Sequence, residues 1–140
     1  MEKEAKVPLL SIVIPCYRSE LTIKNVVHDI VDTITKVALY DYEIILVNDG
    51  SPDHTFEVIM ELCKNNKKVK GINLAQNFGQ HSALMAGYRH VRGDIIITMD
   101  DDGQSPAKDI IKLIQPIIKG EYDVVIGKYE EKKHSVFRNV

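Results

Sequence analysis

Short runs of β-branched and aliphatic residues alternate with amphipathic stretches along this chain, and that alternation constrains its fold more than any other feature. Each change between a near-continuous apolar run and a 3.6-residue period marks a change from strand to helix. Residues 9–15 read as a first strand, followed by a helix capped near Ser19 with Val26, Val27, Ile30, Val31, Ile34 and Val37 on one face. Residues 42–47 read as a second strand that ends at Asn48-Asp49-Gly50. The helix after it starts near residues 51–55 and turns Phe56, Ile59, Met60 and Cys63 inward. A third strand over 69–74 leads through Gln76-Asn77-Phe78-Gly79 into a helix over 81–91, stopped by Gly93. Residues 95–99 are almost wholly apolar, as a central parallel strand covered on both faces should be. A last helix over 106–119 contains Pro116, which predicts a kink or an early end, before a fifth strand at 123–127. Repeated βα units imply an α/β fold, with a mostly parallel sheet, right-handed crossovers and helices on both faces.

Composition narrows what such a sheet can serve. The chain has 140 residues, enough for one domain, and its 44 % hydrophobic content supports a packed core. A formal charge of −2 supplies no general attraction to nucleic acid. No apolar run approaches the ~18 residues of a membrane span, and the first residues are charged rather than those of a secretion signal, so a cytoplasmic location is expected. Cys16 and Cys63 lack metal or redox spacing and are expected to be free thiols.

Ligands of open α/β sheets bind beyond the carboxyl ends of the strands, where strand order reverses. The segments found there are Pro15-Cys16-Tyr17-Arg18-Ser19-Glu20, Asn48-Asp49-Gly50-Ser51, Gln76 to Gln80, and Asp100-Asp101-Asp102-Gly103-Gln104. None contains GxGxxG or GxxxxGK[ST], so any phosphate must be held without a glycine-rich cradle. The acidic triplet offers another means. In an extended loop, Asp100 and Asp102 face one way and can share a hard divalent cation such as Mg²⁺ or Mn²⁺, while Asp101 turns toward another neighbour. Such an ion takes one or two carboxylates plus phosphate oxygens, and so grips a diphosphate as it departs. Solvated turns and helix caps also contain acidic runs. Three carboxylates ending an apolar strand at the ligand edge, however, repel one another unless a cation is near.

Other residues at this edge have plainer alternatives. Asp49 can accept a hydrogen bond from a base or ribose, or simply form the Asn-Asp-Gly-Ser turn. Tyr17 can lie against a base or pack, and Glu20 can favour a helix start through the dipole. The five histidines are scattered without metal spacing, and no serine sits in a nucleophile elbow. Lys64, Lys67, Lys68 and Lys70 read as a solvated helix end and loop.

Taken together, Ser11-Ile12-Val13-Ile14-Pro15-Cys16-Tyr17 with Glu20, Val47-Asn48-Asp49-Gly50-Ser51, and Asp100 to Gln104 resemble the family 2 glycosyltransferases of GT-A fold. Residues 77–87 and 92–100 resemble the branch of bacterial polyprenyl-phosphate sugar transferases related to dolichol-phosphate mannosyltransferase, and within it those that transfer 4-deoxy-4-formamido-arabinose. The resemblance implies a UDP-sugar donor, an inverting reaction and a polyprenyl-phosphate acceptor. It places donor contacts on Pro15, Cys16, Tyr17, Glu20, Asp49, Asn77, Gly79, Asp101 and Gln104, and the catalytic DxD metal ligands on Asp100 and Asp102. Asp101 and Gly103 depart from the residues usual in this branch, and Asn48 replaces a more frequent Asp.

Family members extend well beyond this length, so the resemblance implies a polar tail over 1–8, a donor-binding GT-A half over 9–127, and over 128–140 the start of a connection to an acceptor half. The intact form is then expected at the cytoplasmic face of the inner membrane, and self-association into a homo-oligomer is compatible with it. Two other classes were weighed: a non-catalytic nucleotide-sugar binding module, and a haloacid-dehalogenase-type phosphatase, whose DxDG motif expects Thr or Val where Gln104 stands.

Overall fold

The computed structural model describes residues 6–125. Within them the element order is β1 (Leu9–Cys16), α1 (Ile23–Val37), β2 (Asp41–Asn48), α2 (Thr55–Asn65), β3 (Val69–Asn73), α3 (Gln80–Tyr88), β4 (Ile95–Thr98) and α4 (Lys108–Ile118). The four strands form one parallel sheet in the order β3-β2-β1-β4. Central β1 pairs with β2 from Leu9↔Asp41 to Cys16↔Asn48, and with β4 from Leu10↔Ile95 to Val13↔Thr98.

The two faces are covered differently. Leu10, Ile12, Ile14, Ile44 and Leu46 point to one face, where Val26, Val27, Ile30 and Ile34 of α1, Ile59 and Leu62 of α2, and Ile110 and Ile114 of α4 close over them. Burying each such side chain contributes about 1.5–3 kcal/mol, which makes this face the main core. On the other face Val13, Ile45 and Val47 meet α3 through Ala83. Gly87 brings that helix close: a Cβ there would lie 2.5 Å from Val13 Cγ1 and 3.2 Å from Val47 Cγ2.

Several expectations need correction. Met60 is 57 % exposed rather than inward, because Ile59 already takes the sheet-facing position on that turn. Strand β4 is not buried on both faces: Ile96 is half exposed, since β4 has β1 as its one neighbour among the described residues and α3 packs over β1 and β2. Helix α1 begins at Ile23, not near Ser19. Its N-cap Thr22 makes no side-chain cap bond, and the Ser19 carbonyl accepts the Thr22 and Ile23 N–H groups instead. Pro116 stays inside α4, two residues from its end. Of the expected fifth strand, Asp123–Val125 is not in a strand, and the remainder lies outside the described residues, as do the tail from 128 and residues 1–5. No helix among the described residues is long and apolar enough to cross a membrane.

Candidate active site

The strand order reverses between β1 and β4, so the loops leaving these two strands flank the crevice where an open α/β sheet takes its ligand. The structure ties the loops together through Asp101. Its Oδ2 accepts the Tyr17 N–H at 2.9 Å, and its carbonyl accepts the Thr22 hydroxyl at 2.6 Å. The middle carboxylate therefore turns toward the β1 loop, and Asp100 and Asp102 flank it in the loop that follows β4. Asp102 is exposed, and its Oδ1 accepts the Gln104 N–H at 3.0 Å across a turn in which Gly103 takes φ +77°. Met99, just before the triplet, is fastened to β1 by its N–H to the Val13 carbonyl.

The β1 loop presents Tyr17 with its ring 42 % exposed and the Arg18 guanidinium 5.5 Å from the ring centroid. Arg18 adopts φ +53°, and its N–H donates to Ser51 Oγ at 3.1 Å, while Ser19 N–H donates to Thr55 Oγ1 at 2.9 Å. Ser51, Thr55, Thr22 and Arg18 thus shape the crevice without having been singled out as site residues. Their signal was only their place beside the strand ends.

The other expected residues divide. Glu20 does not cap α1: its Oε2 accepts the His54 N–H at 3.2 Å, at the start of α2. The Cys16 side chain lies in the main core, with its thiol toward the Ile14 carbonyl, so only its backbone faces the site. Burial, with the Asp101 charge adding to it, pushes that thiol far above its ordinary range. Asp49 is buried, and its two oxygens accept Phe78 N–H at 2.8 Å and Gly79 N–H at 3.1 Å. Asn77 Oδ1 accepts the same Gly79 N–H at 3.0 Å. Asp49 therefore anchors the loop that opens α3 and leaves only its remaining lone pairs toward a ligand. Gly50, at φ +64°, makes room for that loop: a Cβ would lie 2.2 Å from Asn77 N.

The donor set fits a hard divalent cation. No cluster of three or more His, Cys, Asp or Glu side chains suited to metal occurs among the described residues. A pair of aspartates on an open loop is what Mg²⁺-like ions use when phosphate and water complete their shell.

The profile of glycosyl transferase family 2 matches residues 11–140. The undecaprenyl-phosphate 4-deoxy-4-formamido-L-arabinose transferases of Edwardsiella ictaluri and Klebsiella pneumoniae are 35 % and 37 % identical over 94 % and 92 % of the chain. The chain spans about 40 % of the length of these relatives. Among solved structures, the mannosyltransferase of Pyrobaculum calidifontis in complex with GDP-Man and Mn²⁺ superposes with a TM-score of 0.65 at 20 % identity, covering 76 % of this chain and 31 % of that one. Staphylococcus aureus TarS 1–349 in complex with UDP-GlcNAc gives 0.60 at 20 % identity over 79 % of this chain and 31 % of that one. These likenesses establish the GT-A fold. With the profile spanning all but the first ten residues, and with its crevice at the β1/β4 reversal, the chain belongs to glycosyl transferase family 2.

Proposed function

We propose that this chain is the donor-binding part of a metal-dependent, inverting glycosyltransferase that takes its sugar from a UDP-sugar, and that the full-length protein transfers it to a polyprenyl phosphate at the cytoplasmic face of the inner membrane. The observation that carries the reading is the division of labour in the triplet. Asp101 bonds Tyr17 through its carboxylate and Thr22 through its carbonyl, which places the loop bearing Asp100 and Asp102 at the strand-order reversal. The names of the undecaprenyl-phosphate relatives support the acceptor class, and the UDP-GlcNAc held by one structural neighbour supports the donor class.

In this reading Asp100 and Asp102 hold a Mg²⁺ or Mn²⁺ ion. When bound, that ion neutralises charge on the diphosphate as it leaves. The half-exposed Tyr17 ring lies against the base, with Pro15 fixing the approach of the chain. Asp49 supports the base-side wall through Phe78 and Gly79, and its remaining lone pairs accept from the base or ribose. Glu20, Asn77 and Gln104 line the same edge, and Cys16 contributes through its backbone. The acceptor phosphate, already anionic, attacks the anomeric carbon. Its oxygen forms the new bond while the carbon–oxygen bond to the diphosphate breaks and the electron pair leaves with UDP.

Calorimetry with UDP and with GDP, each with and without Mn²⁺, tests this on the native chain and on Asp102→Ala. The expected result is metal-dependent UDP binding that weakens more than ~100-fold in the variant, because loss of groups outside the metal shell already costs ~10–100-fold. Equal UDP affinity in all four UDP conditions overturns the metal bridge, and preference for GDP overturns the donor assignment.

A further inference from the structure

At the amino end of the sheet, on the α3 face, a second acidic group is closed inside the protein. Glu43 is 3 % exposed in the middle of β2's neighbourhood with β1 and β3. Its Oε2 accepts the Ser11 hydroxyl at 2.5 Å and the Arg92 N–H at 2.6 Å, and its Oε1 accepts Lys70 Nζ at 3.0 Å. Ser11 Oγ in turn accepts the Gly93 N–H at 2.7 Å. The α3–β4 connection is thus pinned at two successive backbone N–H groups. It approaches so closely that a Cβ on Gly93 would lie 2.4 Å from Ser11 Oγ and 2.8 Å from the Leu9 carbonyl. Asp94 completes the attachment: its N–H donates to the Leu9 carbonyl at 2.7 Å, and its Oδ2 accepts the Leu9 N–H at 2.9 Å. Strand β4 begins at the very next residue.

Further along, the Thr98 hydroxyl meets the Tyr88 hydroxyl at 2.9 Å and the Met99 N–H reaches the Val13 carbonyl, but the strand itself is short. It is four residues long and has β1 as its one neighbour among the described residues, yet it leads directly to Asp100. A slip of one residue against β1 would turn every side chain to the opposite face. Asp101 would then stand where Asp100 and Asp102 now stand. A side chain at the far end of the strand can therefore decide where the triplet's carboxylates point.

We propose that Glu43 is a positioning residue for Asp100 and Asp102: through Ser11, Arg92 and Gly93 it sets the register of β4 against β1 and so the aim of the acidic triplet at the other end of that strand. The inference deepens the metal-site reading and rests on it for its consequence in donor binding, while its structural part is measurable without metal. Amide hydrogen exchange of the native chain and of Glu43→Ala, followed residue by residue, supplies the first measurement. Met99 N–H, bonded to the Val13 carbonyl, and the Ile97 amide are expected to exchange at least ~10-fold faster in the variant, with Leu46 and Val47 unchanged. Unaltered β4 exchange overturns the proposal, and so does an equal rise in β2 and β4, which marks general loosening.

The second measurement is UDP affinity with Mn²⁺. Glu43→Ala is expected to lose ~10-fold, and Lys70→Met, which spares the bonds from Ser11 and Arg92, less than ~3-fold. Native affinity in Glu43→Ala overturns the positioning role. Absence of metal-dependent UDP binding in the native chain overturns the functional reading instead, and leaves the exchange result to decide the clamp. Should Glu43→Ala fail to fold, Ser11→Ala removes the Gly93 acceptor and one of the donors to Glu43, and is expected to speed β4 exchange in the same pattern. No β4-specific change there counts against the clamp.

Discussion

Two acidic groups sit at opposite ends of the same sheet and meet opposite fates. At the amino end Glu43 receives Ser11, Arg92 and Lys70 and is sealed from water. At the carboxyl end Asp101 is turned toward the β1 loop by the Tyr17 N–H, while Asp102 lies exposed with a backbone donor from its own turn. The difference lies in the donors brought to each place. The protein supplies Glu43 with all it needs, which makes that carboxylate part of the scaffold. The triplet concentrates negative charge beside the strand-order reversal, where the proposed reading seats a cation and its phosphate. A satisfied buried charge holds structure; whether the charges at the strand-order reversal serve binding is what the variants below separate.

The contrast predicts effects of different size on stability. Glu43→Ala leaves the Arg92 N–H and the Ser11 hydroxyl without their acceptor, and is expected to lower the unfolding free energy by about 2–4 kcal/mol in urea titrations. Burial opposes ionisation of this carboxyl, but the bonds from Ser11, Arg92 and Lys70 outweigh it and hold it below the ordinary glutamate value. Because the folded value is the lower one, the stabilisation is complete above the unfolded pKa of about 4.3 and is lost as pH falls through the folded value. Native protein should therefore lose stability on acidification below pH ~4.3 more steeply than Glu43→Gln does. Parallel curves for the two would remove the distinction between the ends of the sheet.

Next in size is Gly87→Ala. The new methyl would meet Val13 and Val47 and push α3 off the sheet, at a cost of about 1–3 kcal/mol, with a matching drop in thermal midpoint. The smallest effect is expected at the open end. Asp102→Ala should change stability by less than about 0.5 kcal/mol in the absence of metal, even though the proposed reading expects it to weaken metal-dependent UDP binding more than ~100-fold. A large destabilisation there would mean that the triplet, like Glu43, belongs to the scaffold.

Much of this organisation could be read from the residue order. The apolar runs of β1 and β2 read as strands, and the 3.6-residue period of Val26, Val27, Ile30 and Ile34 as a helix lying on the sheet. That the middle aspartate of the triplet would turn to another neighbour was expected from alternation along an extended loop, and Asp101 does meet Tyr17. Less visible was how the helices would be shared between the faces, and so β4 was expected to be covered on both faces although Ile96 is half exposed. Cys16 looked like a loop residue and proved to be the last core position of β1. Glu43 carried a signal that passed unused: a charged residue inside a strand that must be buried demands partners.

Local order along the chain thus determined the elements, their sequence and the chemistry placed after each strand, because hydrophobic period and turn chemistry act over a few residues. Tertiary structure alone decided that Glu20 serves α2 rather than α1, that Asp49 holds the loop before α3, and that Ser11, Glu43, Lys70 and Arg92 converge. These bonds join residues 25 or more positions apart in the chain, and only the parallel pairing of strands, each returned by its helix, brings such groups within reach of one another.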